Sequence, residues 1–186
     1  MGILIPFPPL LGGLFLVLPI WLFVATTHDV QARLQVSQAQ AQRATLDYDA
    51  ARASLLGAVR SSPGDSDAWI QRGIVARTLW LFRQTKAFQQ EADAAFERAA
   101  RLNPHGTLAH FEHARMYVLT GEYARAITLL QPALNLDPNN AGYWLEQARA
   151  QDLLGDVPAA RASFARCAAL VSNTECEQGS RGQAAP

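Results

Sequence analysis

A regular interval recurs along the chain, and this repetition limits the possible folds more than any other feature. Pro104 and Pro138 stand one interval apart, and small residues precede Pro138 by 24, 12 and 5 positions, at Ala114, Ala126 and Ala133. Once one insertion is allowed, the same ladder continues upstream at Ala51, Ala58, Pro63 and Gly73. A unit of this length holds two helices and a turn, so the sequence predicts an all-α stack of helical hairpins.

The small residues of this ladder mark the places where two antiparallel helices come close together. Helices approach closely only where the facing side chains are small, and a large side chain then fills the space beside the contact. Small residues seven apart, with a large one four after the first, share one helical face. The predicted small positions are Ala39, Gly73, Ala114 and Ala148 in the first helices, and Ala51, Ala92, Ala126, Ala160, Ala58, Ala99, Ala133 and Cys167 in the second helices. The predicted large positions are Leu55, Phe96, Leu130 and Phe164.

This pattern resembles the tetratricopeptide repeat (TPR), and the resemblance covers about residues 32 to 171. It implies a right-handed α-solenoid of about four hairpins in a domain at 32–174, with repeats at 32–65, 66–106, 107–140 and 141–174. Gly121 and Gly155 are expected to end the first helices of the last two repeats. The prolines at the repeat boundaries are expected to stop the second helices. The resemblance also implies that the partners are other proteins.

Two departures from the pattern are expected to change the hairpins locally. Gln35 and Gln38 stand where large apolar residues are usual, so the first helix of the first repeat is expected to form partly or to lean on the preceding segment. The interval from Pro63 to Pro104 is longer than the regular one by seven positions, which correspond to two helical turns. The insertion lengthens the second hairpin or forms a protruding loop, whose apolar side chains would be Trp80, Leu81 and Phe82.

An apolar segment precedes the repeats. Residues 3–25 include no ionisable side chain, and as a helix they would be about 34 Å long, enough to span a hydrocarbon core of ~30 Å. We therefore expect one N-terminal transmembrane helix, with residues 1–31 as membrane anchor and short linker. A cleaved signal peptide fits less well, because no basic residue precedes the run and Ala25-Thr26-Thr27 is a poor cleavage site. A buried core helix would not be apolar on every face over this length.

Charge and cysteine content narrow the classes of function. The 16 basic and 16 acidic residues balance, so nothing indicates a nucleic-acid surface. Cys167 and Cys176 lack the spacing of a metal site. They either form a disulfide that folds the C-terminal segment back onto the last helix, or remain two unpaired thiols. Residues 175–186 lack periodicity and are expected to form a flexible tail.

The histidines are the one group that suggests metal chemistry. His105, His110 and His113 occur with Glu112, and two histidines three apart share a helical face. However, His110 and His113 occupy repeat positions that usually carry large packing residues, which favours a structural role. The sequence also lacks a serine in a strained elbow with a histidine and an orienting carboxylate. We therefore expect neither a metal, nor a cofactor, nor an enzyme.

The TPR resemblance implies a concave groove formed by the first helices of the repeats. An ordinary solvated helix face with scattered apolar residues is the alternative for the same positions. The Lys and Asn with which chaperone-tail-binding TPR proteins hold a terminal carboxylate are missing here. The residues expected to meet a partner are Ile70, Ile74, Arg77, Phe111, Arg115, Leu145 and Arg149.

The predicted function is that of a non-catalytic, membrane-anchored scaffold in a bacterial cell-envelope complex. Arg33 and Arg43 follow the apolar run, which mildly favours a cytoplasmic domain. The cysteine pair and a common single-span arrangement favour the periplasmic side of the inner membrane, which we expect. A weaker resemblance, to the C-terminal TPR region of O-antigen ligase and polymerase-type membrane proteins, implies the alternative of an accessory module in envelope polysaccharide or glycoprotein assembly.

Overall fold

The computed structural model describes the backbone of residues 10–182 and the side chains of residues 27–182. Within these limits every regular element is a helix, and no strand occurs. The helices are α1 (Leu10–Ala44), α2 (Tyr48–Ser61), α3 (Ser66–Arg83), α4 (Lys86–Leu102), α5 (Leu108–Val118), α6 (Tyr123–Leu136), α7 (Ala141–Leu154), α8 (Val157–Leu170) and α9 (Thr174–Ser180).

The first eight helices pack as four hairpins, α1 with α2, α3 with α4, α5 with α6 and α7 with α8. Each hairpin also contacts the next along the chain, so the core is a continuous row of small clusters and not one central core. The predicted small and large positions of the repeat are all buried. The repeat register derived from the sequence is therefore confirmed.

Short polar side chains and glycine define the helix boundaries. Asp47, Asp65, Asn140 and Asp156 each precede a helix and accept hydrogen bonds from backbone N–H groups of its first turn. Gly155 ends α7 in the left-handed conformation, at φ 86°. That backbone conformation strains residues with a Cβ, which explains glycine at the end of this first helix.

The insertion in the second repeat lengthens its hairpin. α3 has 18 residues and α4 has 17, whereas α5 and α6 have 11 and 14. Trp80 is buried and its ring meets that of Tyr117 edge-on, with 6.2 Å between centroids. Phe82, by contrast, is exposed beside Tyr48. The longer hairpin thus adds contacts to the next repeat, and the alternative of a protruding loop is excluded.

Both ends of the described chain differ from the expectation. α1 continues without a break through the predicted linker and through Gln35 and Gln38 to Ala44, so the first helix of the first repeat is complete. At the other end, the segment predicted as a flexible tail includes α9, which packs on α8. That prediction is wrong up to residue 182, because a disulfide and an ion pair hold the segment down.

No helix in the part of the chain that the structure describes has the length and apolarity required to cross a membrane. The predicted transmembrane run, residues 3–25, lies outside the residues whose side chains are described.

Candidate partner-binding groove

One face of the stack is built from the first helix of each hairpin. α3 contacts both α1 and α5, and α5 contacts α7, so these four helices form a continuous surface. Two open cavities lie along it. The first, of about 640 Å³, lies between α1, α3 and the start of α5, and Val36, Ile70 and Leu108 are among its apolar lining residues. The second, of about 420 Å³, lies between α5, α7, α8 and α9, with Leu119, Leu153 and Phe164 in its wall.

Glu112 occupies the centre of this surface, between two arginines. Nη1 of Arg77 donates to Oε2 of Glu112 at 2.7 Å and to its backbone oxygen at 3.1 Å. Nη1 of Arg115 lies 3.2 Å from Oε1 of the same carboxylate. Burial lowers the pKa of Arg77, although the charge of Glu112 and the hydrogen bond to it act in the opposite direction. Arg77, predicted to meet a partner, is only 8% exposed, and its Nη1 is already paired with Glu112.

The aromatic and aliphatic groove residues divide into two groups. Ile70 and Ile74 pack in the cluster around Phe96, and Leu145 packs against a cluster of α7 and α8, so the core holds most of their surface. Phe111 is half-buried between two neighbours: its ring centroid lies 4.9 Å from that of Tyr143 and 5.5 Å from the guanidinium carbon of Arg115. Phe111 and Arg115 are thus two predicted groove residues that keep an accessible side.

Arg149 ends the row and is held by two carboxylates. Its Nε and Nη2 donate to the two oxygens of Glu175 on α9, at 2.7 and 2.5 Å. Nη1 lies 3.3 Å from Oε1 of Glu146. The hydrogen bonds with Glu175 raise the pKa of Arg149 and lower that of Glu175. Both groups are therefore charged at neutral pH, and the C-terminal helix covers this end of the groove.

The architecture and the sequence agree on the family. A family model described as tetratricopeptide repeat matches residues 36–107, 88–141 and 111–173, which together cover well over half of the chain. The chain is a tetratricopeptide repeat protein. The same model supports the repeats alone and gives no support to the resemblance to O-antigen ligases. No curated protein sequence matches the chain.

Solved structures similar to this TPR protein share its fold at low sequence identity. MamA from Desulfovibrio magneticus RS-1 has a TM-score of 0.62 and 18% identity over 75% of each chain. YrrB, described as a TPR protein with an unusual peptide-binding site, has a TM-score of 0.62 and 16% identity, over 81% of this chain and 74% of its own. A mutant O-GlcNAc transferase from Thermobaculum terrenum has the same score at 20% identity, but the match covers only 26% of that enzyme.

Two of the three histidines that suggested metal chemistry, His110 and His113, lie in the packing of the TPR protein, whereas His105 is exposed. Nε2 of His113 lies 2.7 Å from Oδ1 of Asp93 on α4, and the hydroxyl of Tyr117 donates to the same carboxylate at 2.7 and 2.8 Å. Burial and the nearby His113 lower the pKa of His110. No group of three potential metal ligands occurs in the described part of the chain.

Several groove residues were not predicted from the sequence. Leu119 and Leu153 are exposed and occupy equivalent positions in consecutive repeats, so the repeat itself contained this signal. The sequence groups Glu112 with the histidines, because nothing in the spacing shows which arginine it faces. Glu175 was assigned to the tail, and its position depends on the Cys167–Cys176 disulfide, which the sequence left open.

Proposed function

We propose that this TPR protein is a non-catalytic scaffold that binds a segment of a partner protein along the surface formed by α1, α3, α5 and α7. The observation that supports this proposal is a set of exposed leucines in the walls of the two cavities. Leu108, Leu119 and Leu153 are 46%, 55% and 59% exposed. Isolated exposed leucines are common, but exposed apolar side chains grouped in a concave cavity with a few charged groups are typical of binding sites.

The internal ion pairs limit what a partner can use. The charges of Arg77 and Glu112 are neutralised within the groove, and an additional charge there would have to displace a buried partner. A partner segment therefore binds through aliphatic side chains on the leucines and through the accessible faces of Phe111 and Arg115. At the first cavity, the side chains of Asp67 and Arg33 have no partner among the described residues. Both are therefore available for polar contacts with the partner segment.

The proposed location is the periplasmic side of a bacterial inner membrane, within an envelope complex. Residues 3–25 would act as the anchor, because they lack ionisable side chains over a span-length run. The Cys167–Cys176 disulfide supports an oxidising compartment, since cytosolic thiols are kept reduced. A partner in the same membrane would gain from the raised effective concentration that tethering provides.

The test is site-specific cross-linking in whole cells. A photo-reactive amino acid is placed at 108, 119 or 153 in the groove, or at 101 or 128 on the outer helices, and cross-linked proteins are identified by mass spectrometry. We expect a common partner at the groove positions, lost after Phe111→Ala with Arg115→Ala. Arg101→Ala is the matched control, because Arg101 is exposed on α4 and Glu97 is its one ion-pair partner among the described residues. Partner contacts at 101 and 128 instead would refute the groove.

A further inference from the structure

The C-terminal helix α9 occupies one end of the groove and is held there by two different interactions. The disulfide between Cys167 of α8 and Cys176 of α9 fixes its position covalently, and both cysteines are fully buried. One residue before Cys176, Glu175 forms the two-pronged ion pair with Arg149 on α7. This segment of the chain therefore already behaves as a ligand of the groove arginine.

The charges around the second cavity determine what could replace that carboxylate. Arg115 and Arg149 contribute two positive charges, and Glu146, Asp152 and Glu175 contribute three negative ones. With Glu175 in place, a further carboxylate would be repelled. Once Glu175 leaves, two charges of each sign remain, and Arg149 loses the two hydrogen bonds that satisfied Nε and Nη2. An incoming carboxylate fits only as a one-for-one replacement of Glu175.

The fit of α9 is incomplete. Oε1 of Gln178 is buried and has no hydrogen-bond partner among the described residues. A buried acceptor without a partner costs stability, which weakens the docked state of α9. Arg149 remains partly exposed at the cavity, with 41% of its side chain accessible. An incoming segment can therefore reach the guanidinium from the open side.

We propose that α9 is a built-in competitor and that the partner segment presents an Asp or Glu to Arg149 in place of Glu175. An aliphatic residue next to that carboxylate enters the cavity against Leu119, Leu153 and Phe164. The disulfide sets how strongly Glu175 competes, because it keeps the internal carboxylate at a high effective concentration beside Arg149. This inference rests on the proposed function of the groove and adds the chemistry of the occupant.

The test uses the full chain in detergent and a library of random dodecapeptides displayed on phage. Peptides are selected on the Glu175→Gln variant, which keeps α9 but removes the negative charge that competes for Arg149. Binding of the selected peptides is then measured by fluorescence anisotropy on the wild type, on Glu175→Gln, and on Glu175→Gln with Arg149→Ala. Glu177→Gln is the matched control, because Glu177 is exposed on the same helix and its carboxylate has no partner among the described residues.

We expect acidic residues beside aliphatic ones in the selected peptides. Affinity should rise roughly 5–10-fold from wild type to Glu175→Gln, remain at the wild-type level in Glu177→Gln, and fall at least about 10-fold when Arg149→Ala is added. Circular dichroism and the thermal midpoint verify that each variant is folded. Cys176→Ser provides a second route, since removing the tether should also raise affinity for the same peptides.

Other outcomes contradict the inference in distinguishable ways. Selected peptides that are basic, or whose binding does not depend on Arg149 and Glu175, would overturn the inference. The proposed function would still hold if the binding of these peptides required Phe111 and Arg115. If no peptide of the library bound the groove and cross-links formed only on the outer helices, both the inference and the proposed function would be overturned.

Discussion

Gly73 is the residue at which the second hairpin comes closest together. A methyl group added to its Cα would lie 2.6 Å from Cε1 of Phe96, whose ring is completely buried. This contact is far tighter than a normal carbon–carbon separation of about 3.5–4.0 Å. The position therefore requires a residue without a side chain, even though glycine lowers the stability of a helix interior.

We predict that Gly73→Ala destabilises the protein by up to about 2 kcal/mol, because an overpacking cost of about 1–3 kcal/mol exceeds the gain of up to ~1 kcal/mol in helix propensity. Gly57→Ala is the matched control. Its added methyl would meet only the end of the Gln35 side chain, which can move aside. Urea unfolding followed by circular dichroism measures both. A Gly73→Ala protein as stable as the Gly57→Ala protein would mean that α3 and α4 are not in this register.

The sequence predicts the residues that must be small for close helix contact, but it does not predict which side chains pair with a side chain of another repeat. Close helix contact restricts side-chain volume at fixed intervals, so Ala92, Ala126 and Ala160 leave a visible pattern. The pair Arg77 and Glu112 leaves none, because it joins two repeats and any polar residue on those faces satisfies the periodicity. For the same reason the periodicity predicts which helices share one face of the stack, but it does not show that Arg77 is buried against Glu112.

At the scale of secondary-structure elements, a polar cluster joins the second and third hairpins. Asp93 on α4 accepts hydrogen bonds from Tyr117 and lies against His113, both on α5, and Nη2 of Arg125 on α6 lies 3.6 Å from its carboxylate. The Arg125 guanidinium carbon is also 3.9 Å from the centroid of the Tyr117 ring. Burial raises the pKa of Asp93, but the hydrogen bonds and positive charges outweigh it and hold the pKa below its ordinary value.

We predict that Asp93→Asn lowers the free energy of unfolding at pH 7 by about 1–3 kcal/mol, since hydrogen bonds to a charged acceptor are lost. A lowered folded-state pKa means that the carboxylate stabilises the fold above the unfolded-state pKa of about 3.9, and that this contribution disappears as the pH falls through the lower folded-state pKa. The difference between wild type and variant should therefore be constant above about pH 5 and shrink below pH 4.

Chemical unfolding at a series of pH values measures this difference. Asp152→Asn is the control, because Asp152 is exposed and its carboxylate has no partner in the described structure. It should leave stability nearly unchanged over the same range. A deficit in Asp93→Asn that persists undiminished at pH 3 would show that packing, and not charge, explains the cluster.

At the scale of the whole molecule, α1 connects the groove with the apolar run. α1 is one uninterrupted helix from Leu10 to Ala44, so the groove helix of the first repeat is continuous with the C-terminal part of the apolar run. If that run is embedded in a bilayer, the groove lies close to the membrane surface. A partner in the same membrane would then meet it at high effective concentration, and weak contacts with the leucines and Phe111 would suffice.

We predict that the full chain stays with membranes after a high-salt wash and that Leu14→Arg with Leu18→Arg releases it. Each arginine near the centre of a transmembrane helix costs about 2.5–3.5 kcal/mol, so the pair opposes insertion by at least about 5 kcal/mol. Val30→Arg with Leu34→Arg is the matched control: the two positions have the same spacing on the same helix, lie beyond the apolar run, and are 68% and 59% exposed. That variant should remain in the membrane fraction. Recovery of a wild-type form that begins near Thr26 and stays in solution would instead identify the run as a cleaved leader, and the proposed gain from membrane tethering would be lost.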